Sequence, residues 1–153
     1  ILILGSGNET IATEWNQLLP AYKGNYDTFI RYNEDLAHLI FAGSDFLLMP
    51  SRVEPCGLNQ MYALRYGTIP VVRRTGGLKD TVIDFEDGGN GICHEQASVT
   101  DICTSIRRAL KMYEDKKTLN KIRKSGMQID HSWSSVCKEY IEVYNLIIKK
   151  NES

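Results

Sequence analysis

The chain has 153 residues, 42% of them hydrophobic, which is the length and apolar content of one ordinary domain with a real core. Eighteen basic residues against nineteen acidic ones leave a net charge of -1, so no global field draws the chain to nucleic acid or to an anionic membrane, and any anionic ligand must be held locally. Its apolar runs are too short to span a bilayer, and its four cysteines, Cys56, Cys93, Cys103 and Cys137, lie too far apart for a zinc-type pair or an evident disulfide framework. A single domain over residues 1–153 is expected, cytoplasmic, with reduced thiols and no bound metal.

The chain opens on "ILILGSG" with no initiator methionine, as if already inside a strand, and a fragment of a longer protein is expected. In "NETIATEWNQLLPAY" the apolar positions Ile11, Trp15, Leu18 and Leu19 follow helical spacing. "YDTFIRY" then alternates like a strand, and "NEDLAHLIFAGS" repeats the helical signal until Gly43 stops it. "DFLLMPS" is a continuous apolar strand, "LNQMYALRYG" a helix ended by Gly67, and "TIPVVRR" a further strand. Continuous apolar strands separated by helices predict a parallel sheet covered on both faces, a Rossmann-like α/β fold.

"DGGNGICHE" supplies a turn and a brief strand, after which the pattern turns helical. Ser98 is placed to cap "SVTDICTSIRRALKMYED", whose apolar face is expected at Val99, Ile102, Ile106, Leu110 and Tyr113. A shorter polar helix follows in "KKTLNKIRKSGMQI". The last, "SSVCKEYIEVYNLIIKK", carries Val136, Tyr140, Val143, Tyr144 and Ile147 at helical spacing, a helical C-terminal tail.

Open α/β sheets bind ligands at the carboxyl ends of their strands, and the stretch "PSRVEPCGLNQ" lies at such an end. Glu54 precedes a helix start at Gly57 and Leu58, where unpaired N–H groups and the helix dipole attract anions. A carboxylate beside such a start describes a sugar-phosphate pocket, although a surface glutamate favoured by the dipole would read the same. "RRTGGLKD" sets Arg73, Arg74, Thr75, Gly76 and Gly77 at the next strand end, either a loop held close to a charged ligand or an ordinary turn. Tyr32 ends the second strand, where an aromatic ring stacks on a nucleobase or closes the rim of the core.

"GSGN" after the first strand fails the dinucleotide pattern G-x-G-x-x-G, because position 10 is Thr10. The histidines His38, His94 and His131 have no ligand or triad spacing and read as structural, and Glu86 with Asp87 reads as a solvated turn.

The run "PSRVEPCGLNQMYALRYGTIPVVRRTGGLKDTV", with "RYNEDLAHLIFAGSDFLLMPS" before it and "SW" after it, resembles the bacterial glycogen synthase and plant starch synthase family over nearly the whole chain. Those are retaining glycosyltransferases of the two-domain GT-B fold. The resemblance implies the later part of a nucleotide-sugar-binding C-terminal domain. Its first one or two βα units and the acceptor domain would lie outside this chain, and the isolated fragment would be inactive. It implies transfer of glucose from ADP-glucose, with retention, to the non-reducing end of an α-1,4-glucan, with no cofactor beyond the donor. Partners would then be ADP-glucose or ADP and, through the other domain, the glucan.

By the same resemblance Glu54 is catalytic, contacting donor hydroxyls and stabilising a cationic sugar. Cys56, Gly57 and Leu58 hold glucose and phosphate oxygens through their backbone, Tyr32 stacks on adenine, Asn59 belongs to the nucleotide site, and Arg74, Thr75, Gly76 and Gly77 form a supporting loop. Two positions depart from the wider pattern. Tyr62 stands where many relatives of this fold carry a second, ribose-binding glutamate, and Asn59 stands where threonine is common. Two other readings remain: a non-catalytic nucleotide-binding module, and a GT-B enzyme using a UDP-sugar.

Overall fold

The computed structural model describes residues 1–151, and these fall into two compact units that meet in sequence after Asp45. In the first, β1 (Leu2–Gly5) pairs in parallel with β2 (Asp27–Ile30), Leu2 opposite Asp27. Helix α1 (Glu9–Gln17) starts at Asn8, whose side-chain oxygen accepts from the N–H groups of Thr10 and Ile11 at 2.9 and 3.2 Å. Helix α2 (Glu34–Gly43) starts at Asn33 in the same way, with Glu34 and Asp35 set against the dipole in its first turn. Phe41 is the one buried residue of this unit.

The second unit holds a three-stranded parallel sheet in the order β3 (Phe46–Met49), β4 (Ile69–Arg73), β5 (Ile92–His94). Central β4 is buried on both sides from Ile69 to Val72, as the continuous apolar pattern requires. Ile69 and Val71 pack with Ile92 against Ala109 and Met112 of α5 (Val99–Glu114) and Leu119 and Ile122 of α6 (Lys116–Met127). Val72 packs on the opposite face with Met49, Cys93, Leu78 of the short helix α4 (Leu78–Thr81) and Val82. The Rossmann-like α/β expectation is thus met, with strands parallel within each sheet.

Helix α3 (Asn59–Tyr66) ends at Gly67, which adopts φ 80° so that the Thr68 N–H returns to the Ala63 carbonyl at 2.9 Å. Helix α5 is capped as expected. Ser98 Oγ accepts from the Asp101 N–H at 3.2 Å, and the Asp101 carboxylate accepts from the Gln96 N–H at 2.9 Å. Helix α7 (Trp133–Asn151) forms the helical tail. Among the described residues no helix is long and apolar enough to cross a membrane.

Three expectations are corrected by the packing. "DFLLMPS" is not fully buried, because β3 is an edge strand and Leu48 remains 42% exposed. The buried face of α5 is Ser105, Ala109 and Met112, whereas Val99, Leu110 and Tyr113 are exposed, because small side chains let the helix approach the sheet. Glu86 and Asp87 are exposed but not merely solvated. They sit on a 3-10 turn (Phe85–Asp87), Glu86 pairing with Arg108 at 2.8 Å and Asp87 with Arg74 at 3.1 Å.

Asp84 anchors that turn. Its buried carboxylate accepts from the Cys93 N–H at 2.7 Å, the Glu86 N–H at 3.0 Å and Arg108 at 2.6 Å. Burial alone would raise this carboxyl, but Arg108 and the two backbone donors outweigh it and hold it below the usual carboxylate range.

Candidate functional site

The segment from Pro50 to Leu58 leaves the carboxyl end of β3, at the edge where a parallel sheet exposes its strand ends. Glu54 is half-buried there, and its Oε2 accepts from the Ser51 hydroxyl at 3.3 Å. Its carbonyl oxygen and that of Pro55 share the Gly77 N–H, each at 3.3 Å. The expected supporting loop therefore lies directly against the glutamate's own backbone.

That contact demands glycine. A Cβ on Gly76, which has φ 47°, would land on the Glu54 carbonyl oxygen, and one on Gly77 would land on the carbonyl of Cys56. Gly57 adopts φ 74° just before α3 and has Gln60 directly against it. Thr75 closes the turn, donating its N–H to the Arg73 carbonyl at 2.9 Å and accepting from Leu78 at 3.1 Å. The Arg74 side chain turns outward to Asp87 and Glu95, at 3.1 and 3.5 Å, and as surface pairs these add little stability. Burial pushes the neighbouring Cys93 thiol up, so it is inert where it lies.

Cys56, Leu58 and Asn59 are exposed at this edge. Helix α3 has no side-chain cap, and neither the Gly57 nor the Leu58 N–H donates to any acceptor among the described residues. The site thus combines a held carboxylate with two open backbone donors at a helix start, groups that accept from hydroxyls and donate to oxyanions. Tyr62, on the second turn of α3, is partly exposed. In the other unit, Tyr32 follows the last residue of β2 by two positions, is 82% exposed, and has its hydroxyl 3.3 Å from Glu34.

Two residues that build the site, Gln60 and Thr81, were missed in the sequence, and Arg73 stood there only as part of the loop after β4. Gln60 is fully buried, and its amide nitrogen lies 2.9 Å from the Gly57 carbonyl, 3.3 Å from that of Cys56 and 3.0 Å from the Thr81 hydroxyl. Thr81 passes the contact on, donating to the Gly77 carbonyl at 2.8 Å. Arg73 donates to the Arg52 carbonyl at 2.7 Å and the Glu95 carbonyl at 3.0 Å, tying the segment down from the end of β4. The signal for Gln60 was present: it shares helical spacing with Ala63 and Leu64, the buried face of α3. Among the described residues no cluster of His, Cys, Asp and Glu is arranged to hold a metal ion. His94 is buried, with Nδ1 3.0 Å from the Gln96 carbonyl, in line with a structural role.

A parallel sheet with a carboxylate and open helix-start donors at its strand ends can receive a ligand that carries hydroxyls and an oxyanion, and the comparisons give the family. Residues 13–128 match the family described as glycosyl transferases group 1, and the chain belongs to that family. It is similar to the glycogen synthase of Flavobacterium johnsoniae, with 70% identity over 150 residues, 98% of this chain and 32% of that protein. It is 49% identical to the glycogen synthase of Rhodospirillum rubrum, over 97% of this chain and 31% of that one.

The fold superposes on the catalytic domain of starch synthase IV from Arabidopsis thaliana, a structure bound to ADP and acarbose. The TM-score is 0.83 at 34% identity, covering 94% of this chain and 31% of that one. A sucrose-phosphate synthase from Thermosynechococcus elongatus shares the fold at 20% identity and a TM-score of 0.69, covering 97% of this chain and 38% of that one. The resemblance to glycogen and starch synthases is thereby upheld. The chain spans about a third of the length of the curated relatives it matches.

Proposed function

We propose that this chain is the donor-binding part of a retaining glucosyltransferase that extends an α-1,4-glucan from ADP-glucose. The observation that carries the reading is Glu54. Its half-buried carboxylate, in the segment after β3, accepts from Ser51, its main chain is packed against Gly76 and Gly77, and the same segment carries the open Gly57 and Leu58 N–H groups. Departure of a nucleoside diphosphate leaves the sugar carbon cationic and the phosphate anionic. A carboxylate answers the first charge and helix-start N–H groups the second.

In this reading Cys56, Gly57 and Leu58 hold glucose and phosphate oxygens, with Asn59 beside them, and Tyr32 offers its exposed ring to adenine. The glucan is bound by residues outside this chain, so the chain alone is inactive. Similarity to named glycogen synthases and to a starch synthase bound to ADP supports both the donor and the product. The reaction as read uses no cofactor beyond the donor, and the free thiols, Cys56 among them, suit a reducing, cytoplasmic compartment.

The test is Glu54→Gln in a full-length protein carrying this chain. The change keeps shape and removes charge, so turnover should fall by roughly two orders of magnitude or more, while affinity for ADP, which ends before the glucose, stays within about twofold. Tyr32→Ala should instead raise the donor KM, because stacking on the base is made equally in ground and transition states. Near-normal turnover in Glu54→Gln would leave the glutamate as a helix-end charge and overturn the assignment.

A further inference from the structure

Gln60 belongs to none of the groups assigned above, yet it is fully buried beneath the loop that carries them. Its amide nitrogen faces three acceptors, the carbonyls of Cys56 and Gly57 and the Thr81 hydroxyl, at 3.3, 2.9 and 3.0 Å. Its own Oε1 is buried with no hydrogen-bond partner. An unsatisfied buried oxygen is retained in few places in a folded protein, and the opposite orientation of the amide would set that oxygen against two carbonyls. The donor end of Gln60 is therefore fixed toward the loop.

Peptide geometry gives this contact a consequence on the other side of the chain. Every peptide bond among the described residues is trans, and in a trans peptide the C=O and the following N–H point in opposite directions. Holding the Cys56 carbonyl inward turns the Gly57 N–H outward, and holding the Gly57 carbonyl inward turns the Leu58 N–H outward. Among the described residues neither of these N–H groups has a protein acceptor, and they lead into the equally open N–H groups of Asn59 and Gln60 in the first turn of α3. A glycine at φ 74° makes the arrangement possible, since it lets two successive carbonyls face one side chain.

We propose that Gln60, braced by Thr81, is a positioning residue that sets the Gly57 and Leu58 N–H groups as a pair aimed at the donor's phosphate oxygens. The inference rests on the donor-site reading above and deepens it. The chain of contacts is continuous: Gln60 donates to Thr81, Thr81 donates to the Gly77 carbonyl, and Gly77 donates to the carbonyls of Glu54 and Pro55. The orientation of the N–H pair and the main chain that carries Glu54 are thereby tied through one buried amide.

The experiment compares a full-length protein carrying this chain with its Gln60→Glu, Thr81→Val and Thr81→Ser forms, measuring affinity for ADP and for adenosine, which has no phosphate. Ionised, the new carboxylate repels both carbonyls, so ADP affinity should drop by about tenfold or more while adenosine affinity changes by less than about twofold. The ADP loss should shrink as the pH is lowered, because the protonated carboxyl donates again. Thr81→Val should reproduce the same phosphate-selective loss at about two- to fivefold, and Thr81→Ser should restore it.

A merely structural role would lower the melting temperature without moving the ratio of ADP to adenosine affinity. If the unmutated protein binds ADP and both Gln60→Glu and Thr81→Val leave that ratio unchanged, the positioning role is overturned and the donor-site reading stands. If the unmutated protein does not bind ADP, the donor-site reading falls and takes this proposal with it.

Discussion

Two strand-to-helix joins carry paired glycines near them, and they use glycine differently. After β1, Gly5 and Gly7 have open space where a Cβ would stand, neither has positive φ, and the helix start is satisfied by Asn8. After β3, the helix start has no side-chain cap. Gly57 is left-handed there, and Gly76 and Gly77 of the next loop press their backbones onto the carbonyls of Glu54 and Cys56. The first join is closed by its own side chain, while the second is left open outward and is closed from beneath. A join with unspent N–H groups and backbone packed on backbone is one whose shape serves something beyond the fold.

Alanine substitutions grade the difference. Gly76→Ala should have the largest effect. It puts a side chain on a left-handed residue and onto a main-chain oxygen that cannot swing away, so unfolding free energy should fall by about 3 kcal/mol or more, with loss of ADP binding. Denaturant unfolding and calorimetric titration would read both, and a wild-type unfolding midpoint would break the comparison.

Gly57→Ala comes next. Its Cβ would meet the Gln60 amide at 2.6 Å, the end of a side chain rather than backbone, but one that is fully buried. A cost of about 1–2 kcal/mol, from the left-handed conformation, is expected in chemical unfolding. Smallest is Gly7→Ala, which should fall between no change and a gain of about 0.5 kcal/mol, since it only restricts the unfolded chain. A loss above about 1 kcal/mol at Gly7 would show that the first join also depends on glycine.

The sequence made the order of strands and helices legible because β4 is buried on both faces and its apolar run is unbroken. The helix start at Ser98 was legible for a local reason, a side-chain oxygen beside orphan N–H groups, and the structure shows Asn8 and Asn33 capping α1 and α2 in the same way. Which face of α5 is buried was not, because close approach to a sheet selects Ser105 and Ala109 over larger neighbours, and hydrophobicity alone ranks them the wrong way. Helix α4 is not legible as a helix, because four residues carry no period.

Of the site, Glu54, Cys56 and the two glycines after Thr75 stood out by residue type and position. Gln60 did not, since a polar residue among apolar ones counts against burial until its partners are known. The contacts that bury it come from residues 56, 57 and 81, and those meet only in the folded chain.

Arg73 ends β4 at the same edge, and its guanidinium is occupied with main-chain oxygens of Arg52 and Glu95 rather than with a carboxylate. Carbonyls satisfy its hydrogens without cancelling its charge, so the positive field of that side chain persists toward the strand ends while its rotamers are already frozen. A loose surface arginine would have to be stilled by each arriving anion, at an entropic cost of up to about 2 kcal/mol. Here that ordering was completed when the chain folded, and an incoming diphosphate would meet a cation whose freedom has already been spent.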